Sequence, residues 1–185
     1  MNIHTFKEIK TERLLLRKIE ESDSDVILFL RSNKTINKFI DRPINRRTNN
    51  ISDAIKHIKK LKTEAQNNKS FSWGITLKND PKVIGTICLW NFSKNYKIAE
   101  VGYDLNPEFQ RKGIMSEALN SVINFGFIDL NIDKVEAFTH IQNENSKRLL
   151  EKNGFHFIED RKDKDNLSNV VFEIKKATSK MTINI

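Results

Sequence analysis

Between Ile98 and Leu130 a short strand, a proline, a single glycine and a long helix follow one another without a gap, and few folds admit that order. The strand is Ile98-Ala99-Glu100-Val101-Gly102-Tyr103-Asp104-Leu105. Pro107 removes a backbone donor and stops the ladder. Gly113 permits a backbone angle or a close approach that a side chain forbids, and a helix runs from there to about Leu130. The N–H groups entering such a helix lack intrahelical partners and lie at the positive end of its dipole, where an anion is held well. Arg111 and Lys112 add charge beside them. On spacing alone, the segment Asn106 to Ala118 reads equally as an ordinary helix start and as a pyrophosphate loop. It is not a P-loop, because Gly-Lys-Ser/Thr is absent. Nor is it the dinucleotide fingerprint, because it has one glycine and no βαβ unit before it.

The rest of the chain supplies a sheet for this junction. Arg13 to Ile19 reads as a first strand, and Ser22 to Arg31 as a helix with Ser22 as its N-cap. Asn33 to Asn50 is polar and irregular. Ile51, Ile55, Ile58 and Leu61 mark a second amphipathic helix, capped by Ser52 or Asp53. Strands over Phe71–Leu77, Val83–Phe92 and Ile98–Leu105, separated by short turns, read as antiparallel hairpins. A strand at Val135–Ile141, a helix at Asn145–Lys152 and strands at Phe155–Asp160 and Val170–Lys175 follow. The expected class is α/β: a mixed, mostly antiparallel sheet with helices on both faces. The 185 residues suit one domain, 1–176, with a tail at 177–185 that is either disordered or pairs with a partner.

Composition narrows the function classes. Hydrophobic residues at 38% against 30% charged describe a soluble globular chain, and no apolar run approaches the roughly 20 residues a bilayer needs. The first ten residues carry charges throughout, so no signal peptide is expected. Cys88 is the only cysteine, which rules out an internal disulfide and fits a cytoplasmic home. A formal charge of +8 favours acidic or phosphate-bearing partners, yet no basic stripe is interleaved with aromatics. Specific nucleic-acid binding is therefore not expected. His4, His57, His140 and His156 lack metal-ligand spacing, so no metal is expected either.

Three segments then carry a resemblance. Gln110-Arg111-Lys112-Gly113-Ile114-Met115 resembles the acetyl-CoA pyrophosphate loop of the GCN5-related N-acetyltransferases (GNAT), departing from the pattern at Met115, where a small residue is usual. Met resembles what the ribosomal-protein N-terminal (RimJ/RimL-like) subgroup carries there. Thr11-Glu12-Arg13-Leu14-Leu15-Leu16-Arg17 is similar to that subgroup's opening strand. Asn143-Glu144-Asn145-Ser146, continuing to Glu151-Lys152-Asn153-Gly154-Phe155, is similar to its late motif. The resemblance covers about Thr11 to Lys175. It implies the GNAT fold, in which two central strands splay and the pantetheine arm of acetyl-CoA lies between them. It also implies transfer of acetyl to a primary amine by direct attack, with a protein N-terminus as the leading acceptor. A polyamine, an antibiotic or an amino acid is the alternative within the enzyme class, and a non-catalytic acetyl-CoA-binding module the alternative outside it. A homodimer remains one option.

Acetyl transfer needs a base for the amine, donors for the oxyanion and an acid for the thiolate. Glu100 is the expected base; strand alternation sets it and Gly102 on one face, Val101 and Tyr103 on the other. A water chain to backbone carbonyls, or His140, is the next candidate. Relatives that use a tyrosine acid carry it where Leu150 stands here, and neither Tyr96 nor Tyr103 matches that position. Ser146 is the expected substitute, with helix capping as its equally weighted structural role. The expected cofactor contacts are Tyr103, Asp104 and Leu105 on the splayed strand, which supply an oxyanion N–H, then Gln110, Arg111, Lys112, Gly113, Ile114, Met115 and Ser116, and finally Asn143 and Ser146 toward the pantetheine. Trp73, Trp90 and Phe92 either wall the acceptor cleft or pack the hairpins.

Overall fold

The computed structural model describes residues 6–40 and 42–177. Its elements are β1 (Ile9–Lys10), β2 (Leu14–Arg17), α1 (Ser24–Ser32), α2 (Ile51–Gln66), β3 (Ser70–Leu77), β4 (Asp80–Trp90), β5 (Ile98–Leu105), α3 (Ile114–Ile128), β6 (Lys134–His140), α4 (Glu144–Lys152), β7 (His156–Lys162) and β8 (Asn169–Lys175). The strands form one sheet in the order β1-β2-β3-β4-β5-β6-β8-β7. Every pairing is antiparallel except β5 with β6. The expected hairpins are therefore present, and the one parallel pair is bridged by α3, because parallel neighbours need a crossover.

Residue alternation gives the sheet two unlike faces. Phe71, Trp73 and Ile75 of β3, Ile87 and Leu89 of β4, and Ala99, Val101 and Leu105 of β5 are buried with Ala118, Leu119, Val122 and Phe125 of α3 in the main core. Trp73 belongs wholly to that core, its indole N–H donating to the Lys7 carbonyl at 2.8 Å, and takes no part in a cleft. The opposite face of β3, β4 and β5 carries small or polar residues: Ser72, Gly74, Thr86, Cys88, Gly102 and Asp104. There α1 and α2 pack against each other through Ile27, Ala54 and Ile58, and against β3 and β4. We call the α3 side the back of the sheet and the α1–α2 side the front.

Two helix starts differ from expectation. Asn50 caps α2, its side chain accepting from the Asp53 N–H at 2.9 Å, while Asp53 Oδ2 accepts from the Asn49 N–H at 3.0 Å. Neither Ser52 nor Asp53 takes that place, because Ile51 is already helical. A 3-10 turn at Glu21–Asp23 precedes α1, and Asp23, held by the Arg17 guanidinium at 2.8 and 2.9 Å, stands at the N-cap position one residue after Ser22. The tail expected at 177–185 lies, from residue 178 on, outside the described residues.

The feature that positions a site is the β5–β6 pairing. It holds only over Ile98↔Lys134, Ala99↔Val135 and Glu100↔Glu136. Beyond that rung β5 stays with β4 as far as Gly85↔Leu105, and β6 stays with β8 as far as His140↔Asn169. The sheet thus opens into a wedge between Val101–Leu105 and 137–140. Two carboxylates face each other at the last rung, and like charges directly opposed disfavour further pairing.

Candidate active site

The loop into α3 sits at the wide end of the wedge. Arg111 and Gly113 have φ of 60° and 74°, with an ordinary residue between them. Alternation of this kind turns successive N–H groups into one concavity that accepts anions. The first intrahelical bond of α3 is Glu117 N–H to the Gly113 carbonyl, so the N–H groups of Ile114, Met115 and Ser116 belong to the free first turn. The side chains of Ile114 and Met115 are buried in the core, so toward a ligand these two offer backbone only. The bulk of Met115, a departure in the sequence pattern, is thereby absorbed by the core. Gln110 donates from Nε2 to the Leu105 carbonyl at 3.2 Å, and Ser116 donates to Asn153 Oδ1 at 2.7 Å.

The opening strand braces this loop. Glu117 accepts from the Thr11 hydroxyl at 2.5 Å, the Arg13 N–H at 2.9 Å and Arg13 Nε at 2.6 Å, and Arg13 Nη1 donates to the Lys112 carbonyl at 3.0 Å. Burial works against the Glu117 charge, but these donors more than offset it and hold its carboxyl below the usual range. The Thr-Glu-Arg run was read only as a strand; its further task is to fix the loop. The signal was the pairing of a Thr-x-Arg run with a glutamate in the first turn of α3.

At the narrow end, Glu100 occupies the last β5–β6 rung on the front face. Burial raises its pKa; the Asn91 amide, donating at 2.6 Å, pulls the other way, and the Glu136 charge adds to the rise. Glu136 is 3% exposed, yet its carboxyl lies below the usual range. Burial opposes its charge, and Arg161, which grips both oxygens, and Lys134 at 2.8 Å overcome that cost. Two neighbouring carboxylates are thus pushed apart, one tied and ionised, the other more basic, an arrangement suited to proton transfer. The structure sets the sequence candidate Glu100 opposite Glu136, which Arg161 grips; those two come from separate strands and sequence reasoning did not name them.

On the back, Asn143 caps α4 by accepting the Ser146 N–H at 3.3 Å, so its amide oxygen is engaged and its NH₂ faces away from that bond. The Ser146 hydroxyl lies 2.8 Å from the Tyr103 hydroxyl across the wedge. Burial pushes Tyr103 up to about 12, with the Ser146 contact pulling slightly down. Leu150, where relatives carry a tyrosine, is fully buried. Spacing along the chain excluded a tyrosine here; a tyrosine hydroxyl nonetheless reaches Ser146, from the opposite strand. Asp104 turns its carboxylate to the front, accepting from the Thr86 N–H at 3.1 Å and the Thr86 hydroxyl at 2.9 Å, so toward the wedge it contributes backbone alone. Leu105 is buried and likewise presents only its backbone.

The other candidates from the sequence lie around the wedge. Trp90 pairs with Glu100 and is 39% exposed. Phe92 packs on Phe71 and Tyr96 instead. His140, at the tip of β6, stacks on Phe39 of the α1–α2 connection at 5.2 Å, and its Nδ1 accepts from the Gln142 N–H at 3.1 Å. Cys88 is a front-face thiol that burial pushes up to about 12, which disqualifies it as a nucleophile. No cluster of three or more His, Cys, Asp or Glu able to hold a metal occurs among the described residues. No helix among them is long and apolar enough to cross a membrane.

A wedge between parallel strands, with an anion-binding helix start at its wide end, agrees with the family model of the acetyltransferase (GNAT) domain, which matches residues 13–156. The chain belongs to the GNAT acetyltransferases. Within this family it is similar to the uncharacterized N-acetyltransferase YoaA of Bacillus subtilis (strain 168), with 31% identity over 150 residues, covering 81% of this chain and 83% of that protein. Among solved structures, the ribosomal-protein-S5-alanine acetyltransferase of Vibrio fischeri shares the fold with a TM-score of 0.77 at 24% identity, over 91% of this chain and 96% of that one. RimL, a ribosomal L7/L12 α-N-protein acetyltransferase solved with coenzyme A, shares it with a TM-score of 0.77 at 19% identity, over 91% and 98%. As a GNAT enzyme the chain is an acetyl-CoA-dependent N-acetyltransferase, and the free first turn of α3 and the wedge fit the pyrophosphate and pantetheine of that cosubstrate.

Proposed function

We propose that this acetyltransferase acylates the N-terminal amine of a protein or peptide by direct attack in a ternary complex, with Glu100 as the base and Ser146 as the acid. The observation that carries this reading is the position of the two groups on opposite sides of one gap: Glu100 on the front at the last shared rung, Ser146 on the back beside Tyr103. The thioester lies between them. The amine approaches from the front and loses its proton to Glu100, directly or through a water. The departing thiolate takes the Ser146 proton, and the Tyr103 hydroxyl, kept protonated by burial, donates to the Ser146 oxygen left behind. A backbone N–H of Tyr103 to Leu105 serves the oxyanion. Asn143 Nδ2 serves the pantetheine amide, and Gln110 to Ser116 the pyrophosphate.

The fold shared with acetyltransferases of ribosomal proteins supports a peptide acceptor. A cytoplasmic location goes with this reading, because one free cysteine and a need for acetyl-CoA suit that compartment. The test is a panel of free and N-terminally blocked peptides, polyamines, aminoglycosides and amino acids, read by mass spectrometry. Peptides with free N-termini should gain one acetyl group and blocked ones none. Turnover confined to small amines would overturn the N-terminal reading.

A further inference from the structure

The front of the sheet holds two half-buried guanidiniums that no carboxylate among the described residues pairs. Arg31 of α1 is half-buried; its Nε donates to the Thr48 hydroxyl and its Nη2 to the Arg46 carbonyl, both at 2.8 Å. Arg42, on the connection between α1 and α2, is half-buried and donates from Nη1 to Asn37 Oδ1. All three acceptors are neutral. Among the described residues, neither guanidinium has a carboxylate oxygen within 4.0 Å. Buried charges are normally paired, since leaving water without a counter-charge is costly.

The local field agrees. Burial brings Arg31 down to about 10, with Arg42 and Arg46 adding repulsion and Asp104 opposing them. Arg42 is lowered by burial against the same Asp104. His57, on the facing side of α2, is driven down to about 3 by burial and then by Arg31, Arg42 and Lys60. Among the described residues, Asp104, already committed to two Thr86 donors, is the carboxylate whose charge acts on both guanidiniums.

The front of β5 lies beside this pair, its Asp104 charge acting on both guanidiniums. Asp104, Gly102 and Glu100 follow one another on the front of β5, opposite Thr86, Cys88 and Trp90. A Cβ added at Gly102 would come to 3.3 Å from Cys88 Sγ and 3.7 Å from the Trp90 indole nitrogen, so a side chain there would narrow the trough. Glu100 and Asp104 lie two same-face steps apart, roughly 13 Å along a strand. An anion near the arginines and an amine near Glu100 therefore belong to different residues of a peptide-sized acceptor.

We propose that Arg31 and Arg42 form an anion-binding subsite of the acceptor cleft, which takes an acidic or phosphorylated side chain in the first few residues of the acceptor. The proposal rests on the reading of the front cleft as the acceptor site. Guanidinium forks match carboxylate and phosphate alike, and a polyamine is repelled.

Two measurements test it separately from that reading. With the pyrophosphate loop filled by saturating coenzyme A, inorganic phosphate should raise the melting temperature of the wild type and leave Arg42→Gln unmoved. An equal response in both proteins, or none in either, overturns the subsite whatever the acceptor is. Secondly, peptides differing only as Asp against Asn, or phosphoserine against Ser, at the second to fourth position are compared by kcat/KM. The acidic member should be favoured about tenfold to a hundredfold by the wild type and less than about threefold by Arg42→Gln. Phosphoserine above Asp would assign the subsite to phosphate, and the reverse to carboxylate. Peptide turnover without discrimination overturns the subsite and leaves the N-terminal reading standing. Turnover of small amines alone removes that reading, and the phosphate response still decides on the arginines. Unchanged coenzyme A affinity in Arg42→Gln shows that the variant is folded.

Discussion

The back and the front of the wedge are built in different ways. The back is made from two short contiguous stretches, Gln110–Ser116 and Asn143–Ser146, braced by Thr11 and Arg13, and its business is done largely by backbone N–H groups. The front is assembled from side chains of α1, the α1–α2 connection, β4, β5, β6 and β7, and its business is charge: Glu100, Glu136, Arg161, Arg31 and Arg42. A backbone site tolerates side-chain change so long as the chain path holds. A charge site changes character with one residue. The cosubstrate half of such an enzyme is accordingly generic and the acceptor half individual.

This contrast makes Glu100 the place where the largest effect is expected. Glu100→Gln should lower kcat by roughly 10²–10⁴ while acetyl-CoA affinity stays nearly unchanged, and the defect should shrink at high pH, where the amine is already neutral. Full activity at neutral pH with chemistry limiting would remove Glu100 as base and promote His140. Next comes Gly113→Val. At φ 74° a β-branched residue is strained, and its Cβ would meet Arg13 Nη2 at 3.3 Å. A cost of about 1–3 kcal/mol corresponds to a loss of roughly tenfold to a hundredfold in cofactor affinity by calorimetry, with kcat at saturation little changed. Lys112→Ala, whose exposed ammonium lies over the Phe109 ring, should cost less than about threefold. The reverse order would show that charge, not chain path, governs the back as well.

Intermediate in size is the acid pair. Tyr103→Phe and Ser146→Ala should each slow thiolate departure by about tenfold or more, without rescue by alkali, and the double variant should fall short of the product of the two because they act as one unit. Multiplicative losses would separate the two hydroxyls. The smallest expected change is a shift of a pH profile. Glu100 works only when ionised, and its pKa is raised, so kcat/KM should fall on the acid side with a midpoint above the ordinary glutamate value of about 4.3. Asn91 donates to the charged form, so Asn91→Ala should move that midpoint higher still. A downward move would mean the profile reports some other group.

The same contrast explains what could be read in advance. The strands, the hairpins and the loop into α3 were legible because hydrophobic period, proline and glycine act locally. Gln110–Ser116 was legible because its parts are adjacent. The Tyr103–Ser146 contact was not, because it joins residues 43 apart across a gap that chain spacing says nothing about. Glu136 was overlooked for a related reason: a buried acid declares itself only once Lys134 and Arg161 are known to meet it. Asn50 was passed over as a cap because Ser52 and Asp53 offered the same chemistry nearby and one residue of helix decided between them.

The three-rung contact between β5 and β6 has a consequence for the sheet itself. Beyond Glu100, the edge of β5 that faces β6 has backbone donors and acceptors with no strand beside them, in the middle of a sheet and not at its rim. Such groups seek a partner. On the reading proposed above, the amide-bearing pantetheine arm would lie along this edge like a ninth strand in an eight-stranded sheet. On that reading the cosubstrate would complete the architecture as well as the reaction. Saturating acetyl-CoA at 100 times its Kd should stabilise the native state by about 2.7 kcal/mol. The slowing of amide exchange should be concentrated in Val101–Leu105, along a seam that joins two otherwise separable sheets.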